Sequence, residues 1–236
     1  MGREADPQVS AGYGLVDDPA LQRYVSDLGL RLAAVSERPD LPWSFKVVDD
    51  PIVNAFALPG GFIYVTRGIL AHFDSEAELA GVLGHEIGHV TARHSASQMS
   101  QQQLQQIVLV GGILVSENFR EYVAPAAMAA LPLLNMSFSR ADESQSDELG
   151  LRYISRVGYD ADAMIGVFQM LGDVGGGGAE GRLPEWQLTH PYPENREADM
   201  RRIIAETGVS RDGLVNRDAY LDRIDGMMYG PNPREG

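Results

Sequence analysis

The segment GVLGHEIGHVTARH, residues 81–94, constrains this chain more than any other part of its sequence. The apolar residues in and before it recur at helical spacing, and side chains four positions apart lie on one face of an α-helix. His85 and His89 therefore project toward one point, while Glu86 lies about 100° around the same helix. This is the H-E-x-x-H arrangement, which supplies two zinc ligands and a general base.

The setting of this segment favours a metal site over two incidental histidines on an ordinary helix. Ser75 and Glu78 stand in capping-box spacing, which predicts a helix start at about Glu76. The PGG turn at 59–61 separates two β-prone runs and predicts a hairpin before that helix. The helix also carries three glycines, each unfavourable by about 1 kcal/mol relative to alanine. Either they let the hairpin and a ligand-bearing helix approach closely, or they serve tight core packing.

A catalytic zinc usually needs a third protein ligand, and this chain has no cysteine to provide one. The segment SRADESQSDELG places Glu143 and Asp147 four positions apart on one helical face. Glu143 is the candidate ligand, and Asp147 the candidate acceptor for the free N–H of His85. The alternative is an ordinary acidic, solvated helix face, because Asp142 and Glu148 have the same chemistry. The upstream histidines favour the metal.

The other segments predict a mostly helical α+β fold with one small sheet, in a single domain over residues 1–236. The length of 236 residues suffices for one sizeable core. Besides the two motif-bearing helices, of which the second is capped by Ser139 and ends at Gly158, the pattern predicts helices over 19–36 and 161–171. It also predicts a helix with Pro193 in its first turn and Gly208 after its end.

The formal net charge of −14 argues against nucleic acid or an anionic membrane surface as a general electrostatic partner. Solubility is the simpler reading of that charge. The apolar runs IVLVGGILV (107–115) and APAAMAALPLL (124–134) are shorter than the roughly 18 residues that a membrane span requires. We interpret them as buried helix pieces and leave peripheral membrane association open. No signal peptide is visible.

The chain resembles the gluzincin metallopeptidases, in which H-E-x-x-H is followed by E-x-x-x-D on a later helix. The surrounding text is similar to the family of the CAAX prenyl protease and HtpX, and most similar to its soluble periplasmic BepA- and LoiP-like members. The resemblance covers nearly the whole chain. It rests on NAFALPGGFIYVTRG (54–68), SEAELAGVLGHEIGHVTARH (75–94), SFSRADESQSDELG (137–150) and THPYPENR (189–196).

The resemblance implies a zincin-like (minigluzincin) domain whose small sheet has an edge strand above the active-site helix. It implies one Zn²⁺ per chain, held by His85, His89 and Glu143, with Glu86 as the catalytic base. The family often has E-x-E-A-D where this chain has ESQSD at 143–147. The ligand and its supporting aspartate are kept, so only the packing of that helix is in doubt.

Four further residues acquire roles from the resemblance. Asn54 and Ala55 would hydrogen-bond the substrate backbone, so that a peptide binds as an added strand. His190 and Arg196 would face the oxyanion, although in some periplasmic relatives the matching histidine fills the open zinc position and silences the enzyme. A loop histidine without a catalytic part is the third alternative for His190. His94, five positions after His89, is predicted to point away from the ligand face and to be structural.

We therefore predict a zinc endopeptidase that cleaves unfolded or extended protein segments, with envelope protein quality control as its setting. The alternative is a zinc-stabilised chaperone or assembly factor whose proteolysis is gated or vestigial. Unfolded or misassembled proteins are the expected partners, in the periplasm or cell envelope after removal of a signal, and the cytoplasm is not excluded. Relatives often extend further, so truncation at both ends and a missing partner-binding region are expected.

Overall fold

The structure, a computed structural model, describes residues 2–98, 137–176, 186, 190 and 195–227. Helices dominate this part of the chain, and three short strands form a sheet, which confirms the predicted mostly helical α+β class. The helices are α1 Gly2–Tyr13, α2 Pro19–Ala34, α3 Arg67–Leu70, α4 Glu76–Thr91, α5 Arg140–Val157, α6 Ala163–Gly176, α7 Arg196–Thr207 and α8 Arg217–Ile224. The strands are β1 Ser44–Val48, β2 Ala55–Leu58 and β3 Phe62–Thr66.

The sheet has the order β1-β3-β2, so β2 lies at one edge. Strands β2 and β3 pair antiparallel across the predicted hairpin turn, where Gly60 and Gly61 adopt φ of 99° and 98°. Only glycine takes such angles readily, which explains the PGG sequence. Strand β1 pairs with β3 in parallel, with Ser44 opposite Phe62. The edge position of β2 leaves one flank of the sheet beside α4, which contacts β2.

Helix α4 begins where the capping box predicts, because the Ser75 side chain accepts a hydrogen bond from the Glu78 backbone N–H. Every residue from Leu79 to Val90 is buried. A helix buried on all faces lies inside the core rather than on its surface. Helices α2, α5 and α6 and strand β2 surround it. Any charged side chain in its middle must therefore find partners inside the protein.

Helix α5 crosses α4 at very close range, through glycines on both helices. A Cβ atom on Gly150 would lie 2.9 Å from the backbone nitrogen of His85, and one on Gly84 would lie 3.1 Å from the carbonyl oxygen of Gly150. A Cβ on Gly88 would lie 3.0 Å from the Cα of Ser146. The glycines of α4 thus admit the helix that carries Glu143, as one of the two explanations predicts.

The prediction that these glycines also let the β2–β3 hairpin approach α4 is wrong. The third glycine of α4, Gly81, faces Met164 of α6, whose sulfur would lie 3.1 Å from an added Cβ. Each glycine of α4 therefore meets a helix. Ser139 caps α5 and Gly158 ends this helix with φ of 94°, both as predicted. The structure adds a capping box between Ser139 and Asp142.

Other predictions differ in detail from the structure. Helix α1 was not predicted, α6 continues to Gly176 rather than ending near 171, and α7 begins at Arg196, so Pro193 is not in its first turn. The apolar runs 107–115 and 124–134 lie outside the described residues. Within the described part of the chain, no helix has the length and apolar content to cross a bilayer.

Candidate metal centre

Two helices and one further residue bring four side chains with metal-binding chemistry to one point. His85 and His89 of α4, Glu143 of α5 and His190 are all buried, and one ligand atom from each lies within 4.8 Å of the others. The Nε2 atoms of His85 and His89 are 2.9 Å apart. The Oε1 atom of Glu143 lies 3.3 Å from the Nε2 of His89. The three predicted ligands, which come from separate segments, therefore meet.

These distances fit a tetrahedral metal ion. Zinc bonds of about 2.0–2.1 Å place neighbouring ligand atoms of a tetrahedron about 3.3 Å apart. The corresponding distances here are 2.9 and 3.3 Å, with 3.6 Å between the His85 Nε2 and the Glu143 Oε2. Two imidazole Nε2 atoms that point at each other present two lone pairs to one place when both Nδ1 atoms carry the protons. Nitrogen and carboxylate donors suit zinc.

Asp147 determines which ring nitrogen of His85 carries the proton. Its Nδ1 lies 2.9 Å from the Oδ1 of Asp147, and the Nε and Nη2 atoms of Arg196 each donate to that carboxylate at 2.6 Å. Burial alone would raise the pKa of Asp147, but the positive charge of Arg196 lowers it. The ionised carboxylate accepts Nδ1–H, which leaves the Nε2 of His85 free for a metal. Asp147 thus lies where the sequence placed it.

Arg196 lies within hydrogen-bond distance of both Asp147 and the Nδ1 of His85. It is 4% exposed, and its Nη1 is 3.1 Å from the Oε2 of Glu143, without the angle of a hydrogen bond. Burial would raise the pKa of Glu143, whereas the nearby charges, that of His190 foremost, lower it. Glu143 is therefore an anion, as a metal ligand must be. The predicted oxyanion role of Arg196 stays a prediction, and its Nη2 also lies 3.3 Å from the Nδ1 of His85.

His94 has a contact that the sequence analysis missed. Its Nδ1 lies 3.1 Å from the Nδ1 of His89, and its Nε2 lies 2.9 Å from the Oε1 of Gln145. The helical spacing used to place it does not apply, because α4 ends at Thr91 and Arg93 adopts a left-handed φ of 65°. The chain turns there and carries His94 back to the rear of His89. A regular spacing pattern contains no signal for such a break.

Glu86 lies beside the cluster, and its carboxylate accepts no described hydrogen bond. Both of its side-chain oxygens are buried and have no hydrogen-bond partner among the described residues. Its Oε1 lies 3.6 Å from the Nε2 of His190. Burial raises the pKa of Glu86 above its ordinary value. A carboxylate with a raised pKa and free lone pairs is suited to accept a proton from a bound water molecule.

His190 lies among the predicted ligands rather than apart from them. Its Nδ1 is 2.9 Å from the Oε1 of Glu143 and 3.3 Å from the Nε2 of His85. Burial would lower the pKa of His190, but the negative charge of Glu143 raises it. Its ring stacks on that of Trp186 at 4.1 Å between centroids, and the backbone N–H of Trp186 donates to the Val53 carbonyl beside β2. Nothing in the sequence pointed to Trp186.

The predicted substrate-binding pair lies at the start of the edge strand. The backbone of Asn54 pairs toward β3, because its carbonyl accepts from the Thr66 N–H at 3.1 Å and its N–H donates to the Thr66 hydroxyl at 3.2 Å. Successive residues of a strand direct their N–H and C=O groups to opposite sides. The polar groups of Ala55 therefore point to the outer flank. The Oδ1 of Asn54 is buried and has no partner in the described part of the chain.

Comparison with known proteins gives a consistent picture. The sequence model of peptidase family M48 matches residues 19–204. The beta-barrel assembly-enhancing protease of Yersinia pestis is 35% identical over 235 residues, which are 94% of this chain and 47% of that protein. Its namesake in Escherichia coli K12 is 34% identical, with coverages of 85% and 42%. The mitochondrial metalloendopeptidase OMA1 of Arabidopsis thaliana is also 34% identical, with coverages of 91% and 42%. The chain spans less than half the length of these relatives.

Proposed function

The chain belongs to peptidase family M48, and from that premise we propose that it is a zinc endopeptidase acting on unfolded or extended protein segments. The family membership confirms the resemblance drawn from the sequence. The observation that carries the proposal is the convergence of His85, His89 and Glu143 beside the carboxylate of Glu86, which has no described hydrogen bond. We treat residues 1–236 as one metallopeptidase domain of a kind found within longer relatives.

The chain's own residues supply the proton transfers and the positioning. Zinc contributes, when bound, a Lewis acid that polarises the scissile carbonyl and lowers the pKa of water. Glu86 takes a proton from the attacking water and delivers it to the leaving amine. Asp147, held by Arg196, keeps His85 in the tautomer that leaves its Nε2 free. His190, 3.6 Å from Glu86, is placed to donate to the oxyanion if its ring moves off Glu143.

The edge strand supports the proposed substrate class. Ala55 is fully buried, so a peptide that pairs with its outward groups must first displace the residues that cover it. That peptide must also be extended over several residues, which compact domains do not offer. Unfolded or misassembled proteins are therefore the proposed substrates. The names of the bacterial relatives support envelope protein quality control in the periplasm or cell envelope as the setting. Peripheral membrane association stays a prediction from the sequence, and it rests on the apolar runs at 107–115 and 124–134.

The decisive test replaces the base and keeps the metal. We expect Glu86→Gln to retain one zinc per chain by elemental analysis and to cleave unfolded casein about 100- to 10,000-fold more slowly than the wild type. Glu78→Gln is the matched control, because Glu78 lies on the same helix and its carboxylate accepts from backbone N–H groups at the helix start, that of Asp74 at 2.6 Å. Chelation followed by zinc should abolish and restore wild-type cleavage. Wild-type turnover in Glu86→Gln would remove the assignment of the base.

The position of His190 favours a second candidate, a chaperone or assembly factor whose proteolysis is gated. An imidazole within 3.3 Å of the His85 Nε2 competes for the place that substrate and water need. Comparing His190→Ala with the wild type separates the two roles. Faster cleavage in the variant indicates gating, and slower cleavage with unchanged zinc content indicates oxyanion stabilisation.

A further inference from the structure

A cavity of about 290 Å³ opens next to the metal centre, on the side of the hairpin turn. His89, one of the predicted ligands, forms part of its wall, so the cavity adjoins the candidate metal centre. At about 30 Å³ per water molecule its volume corresponds to roughly ten waters, which is ample for one amino-acid side chain. The remaining walls come from the loop after α2, from the β2–β3 turn and from the end of α4 with the residues after it: Arg38, Pro59, Gly60, Val90, Arg93, Ser95 and Ala96.

The cavity is cationic although the chain as a whole is strongly acidic. Among the described residues that line it, Arg38 and Arg93 are the charged ones, and none of these residues carries a carboxylate. The Nη1 of Arg38 donates to the carbonyl of Val90 at 3.3 Å, which holds this half-buried guanidinium against α4. Within the described residues, neither arginine forms an ion pair. Two guanidinium groups on one small cavity repel each other, and an anion between them removes that repulsion.

Two further observations indicate a ligand in the cavity. Ser95 is 2% exposed, and its hydroxyl has no hydrogen-bond partner in the described part of the chain. A buried hydroxyl without a partner is unfavourable unless a ligand or water completes it. Arg93 adopts φ of 65°, a conformation that is uncommon outside glycine and recurs at functional sites. This angle is part of the chain reversal that directs residues 94 and 95 back to α4.

We propose that this cavity, the Arg38–Arg93 pocket, binds a carboxylate side chain of the substrate, so that the enzyme favours segments with aspartate or glutamate near the scissile bond. The proposal deepens the proposed function and rests on it. Guanidinium groups bind carboxylates through paired, charge-assisted hydrogen bonds. A lysine or arginine side chain would be repelled, and an apolar one would desolvate both guanidinium groups without compensation.

The pocket also lies where an extended peptide would pass. A peptide paired with the outer flank of β2 advances about 3.3 Å per residue toward the turn at Pro59 and Gly60, which forms one wall of the pocket. Its alternate side chains point to the same side, and one of them faces the pocket within a few residues of the metal centre. The pocket thus selects a residue close to the bond that is cut, not the bond itself.

The test compares cleavage of matched peptides that carry glutamate or glutamine at each position around one scissile bond, all acetylated and amidated at their ends. At the preferred position we expect wild-type kcat/KM to be about three- to tenfold higher for glutamate than for glutamine. The double variant Arg38→Gln/Arg93→Asn should reduce this ratio to within about twofold. Asparagine is chosen because it tolerates a left-handed φ. Arg201→Gln, a surface arginine paired with Glu197, is the control that keeps the ratio.

A second arm does not depend on turnover. In zinc-loaded Glu86→Gln, fluorescence anisotropy should show the same preference as a ratio of Kd values, and adding Arg93→Asn alone should lower that ratio. If no peptide is cleaved while this difference in Kd persists, the proposed function fails and the pocket stands. Equal kcat/KM and equal Kd for the two peptides, or a preference kept by the double variant, would overturn the pocket. So would a preference that appears only in peptides with a free C-terminal carboxylate.

Discussion

At the scale of single residues, both predicted histidine ligands of the candidate metal centre are oriented by contacts of their Nδ1 atoms. His89 needs its Nδ1 proton to be held if its Nε2 is to face a metal, and the nearest acceptor is the Nδ1 of His94. His94 can accept there because its Nε2–H donates to the Oε1 of Gln145. This chain of donors runs from α4 to α5 and parallels the one from His85 to Asp147. Each histidine ligand is thus oriented by a residue outside the cluster.

We expect His94→Ala to weaken zinc binding by about 10- to 100-fold, because residues that orient a ligand histidine have effects of that size. Competition with a chromophoric chelator measures the zinc affinity directly. His72→Ala is the control, since His72 is exposed and the one described hydrogen bond of its side chain is to the Gly68 carbonyl. Equal zinc affinities for His94→Ala and the wild type would contradict the orienting role.

The residues that could be predicted are those whose relation is local. His85, Glu86 and His89 follow from helical geometry alone, and Glu143 and Asp147 follow from the same rule on a second helix. That the two sets meet was predicted from the chemistry of a third ligand and from the family resemblance. Trp186 and the Arg38–Arg93 pocket could not be predicted, because the residues that form them are brought together only by the fold.

At the scale of elements, the contact between α4 and α5 determines how far Glu143 lies from the histidines. The glycines at this contact have no Cβ atom, so the backbones of the two helices lie in direct contact. A Cβ at position 150 would press on the backbone nitrogen of His85, which is itself a predicted ligand. The geometry of the metal centre is therefore coupled to the spacing of two helices.

We expect Gly150→Ala to lower the free energy of unfolding by about 1–3 kcal/mol, as overpacking does, and to weaken zinc binding as well. Gly172→Ala in α6 is the matched control: this exposed glycine has no atom within 4 Å of an added Cβ, so alanine should leave stability unchanged or raise it by up to about 1 kcal/mol. Urea unfolding with and without zinc measures both effects. A Gly150→Ala protein as stable as Gly172→Ala would contradict the coupling.

Elements with strong end signals were predictable, and elements held by distant contacts were not. The caps at Ser75 and Ser139 gave the starts of α4 and α5 correctly. Helix α1 contains Pro7 and has few buried residues, so its pattern gave no signal. It is held by tertiary contacts, through Asp6, with Lys46 and the Tyr64 hydroxyl. The parallel pairing of β1 with β3 is likewise non-local.

At the scale of the whole molecule, acid stability depends on carboxylates that are ionised and paired in the fold. Asp6 is an example outside the metal centre: Lys46 Nζ donates to it at 2.5 Å and the Tyr64 hydroxyl at 2.7 Å. Burial alone would raise the pKa of Asp6, but these hydrogen bonds and the charge of Lys46 lower it below the ordinary value of an aspartate. Its stabilising contribution is therefore complete above the unfolded pKa and disappears as the pH falls through the folded one.

We expect Asp6→Asn to lower the free energy of unfolding of the zinc-free protein by about 1 kcal/mol at pH 7. The difference from the wild type should shrink as the pH falls below about 4, because the wild-type carboxyl then protonates. Urea unfolding between pH 3 and pH 7 measures it. Asp17→Asn, at an exposed position in the following loop, is the control. A difference that stays constant over this range would show that ionised Asp6 contributes nothing.

The outer flank of β2 has a consequence for the protein in concentrated solution. If the outer flank of β2 takes up an extended substrate, as proposed, it can equally take up the same strand of another copy once the residues that bury Ala55 move aside. Copies that each carry a formal charge of −14 repel one another at low ionic strength, and dissolved salt shortens the reach of that repulsion. At high protein concentration and high ionic strength, β2 of one copy should therefore compete with substrate for β2 of another. Dilution into a buffer of low ionic strength should reverse this inhibition.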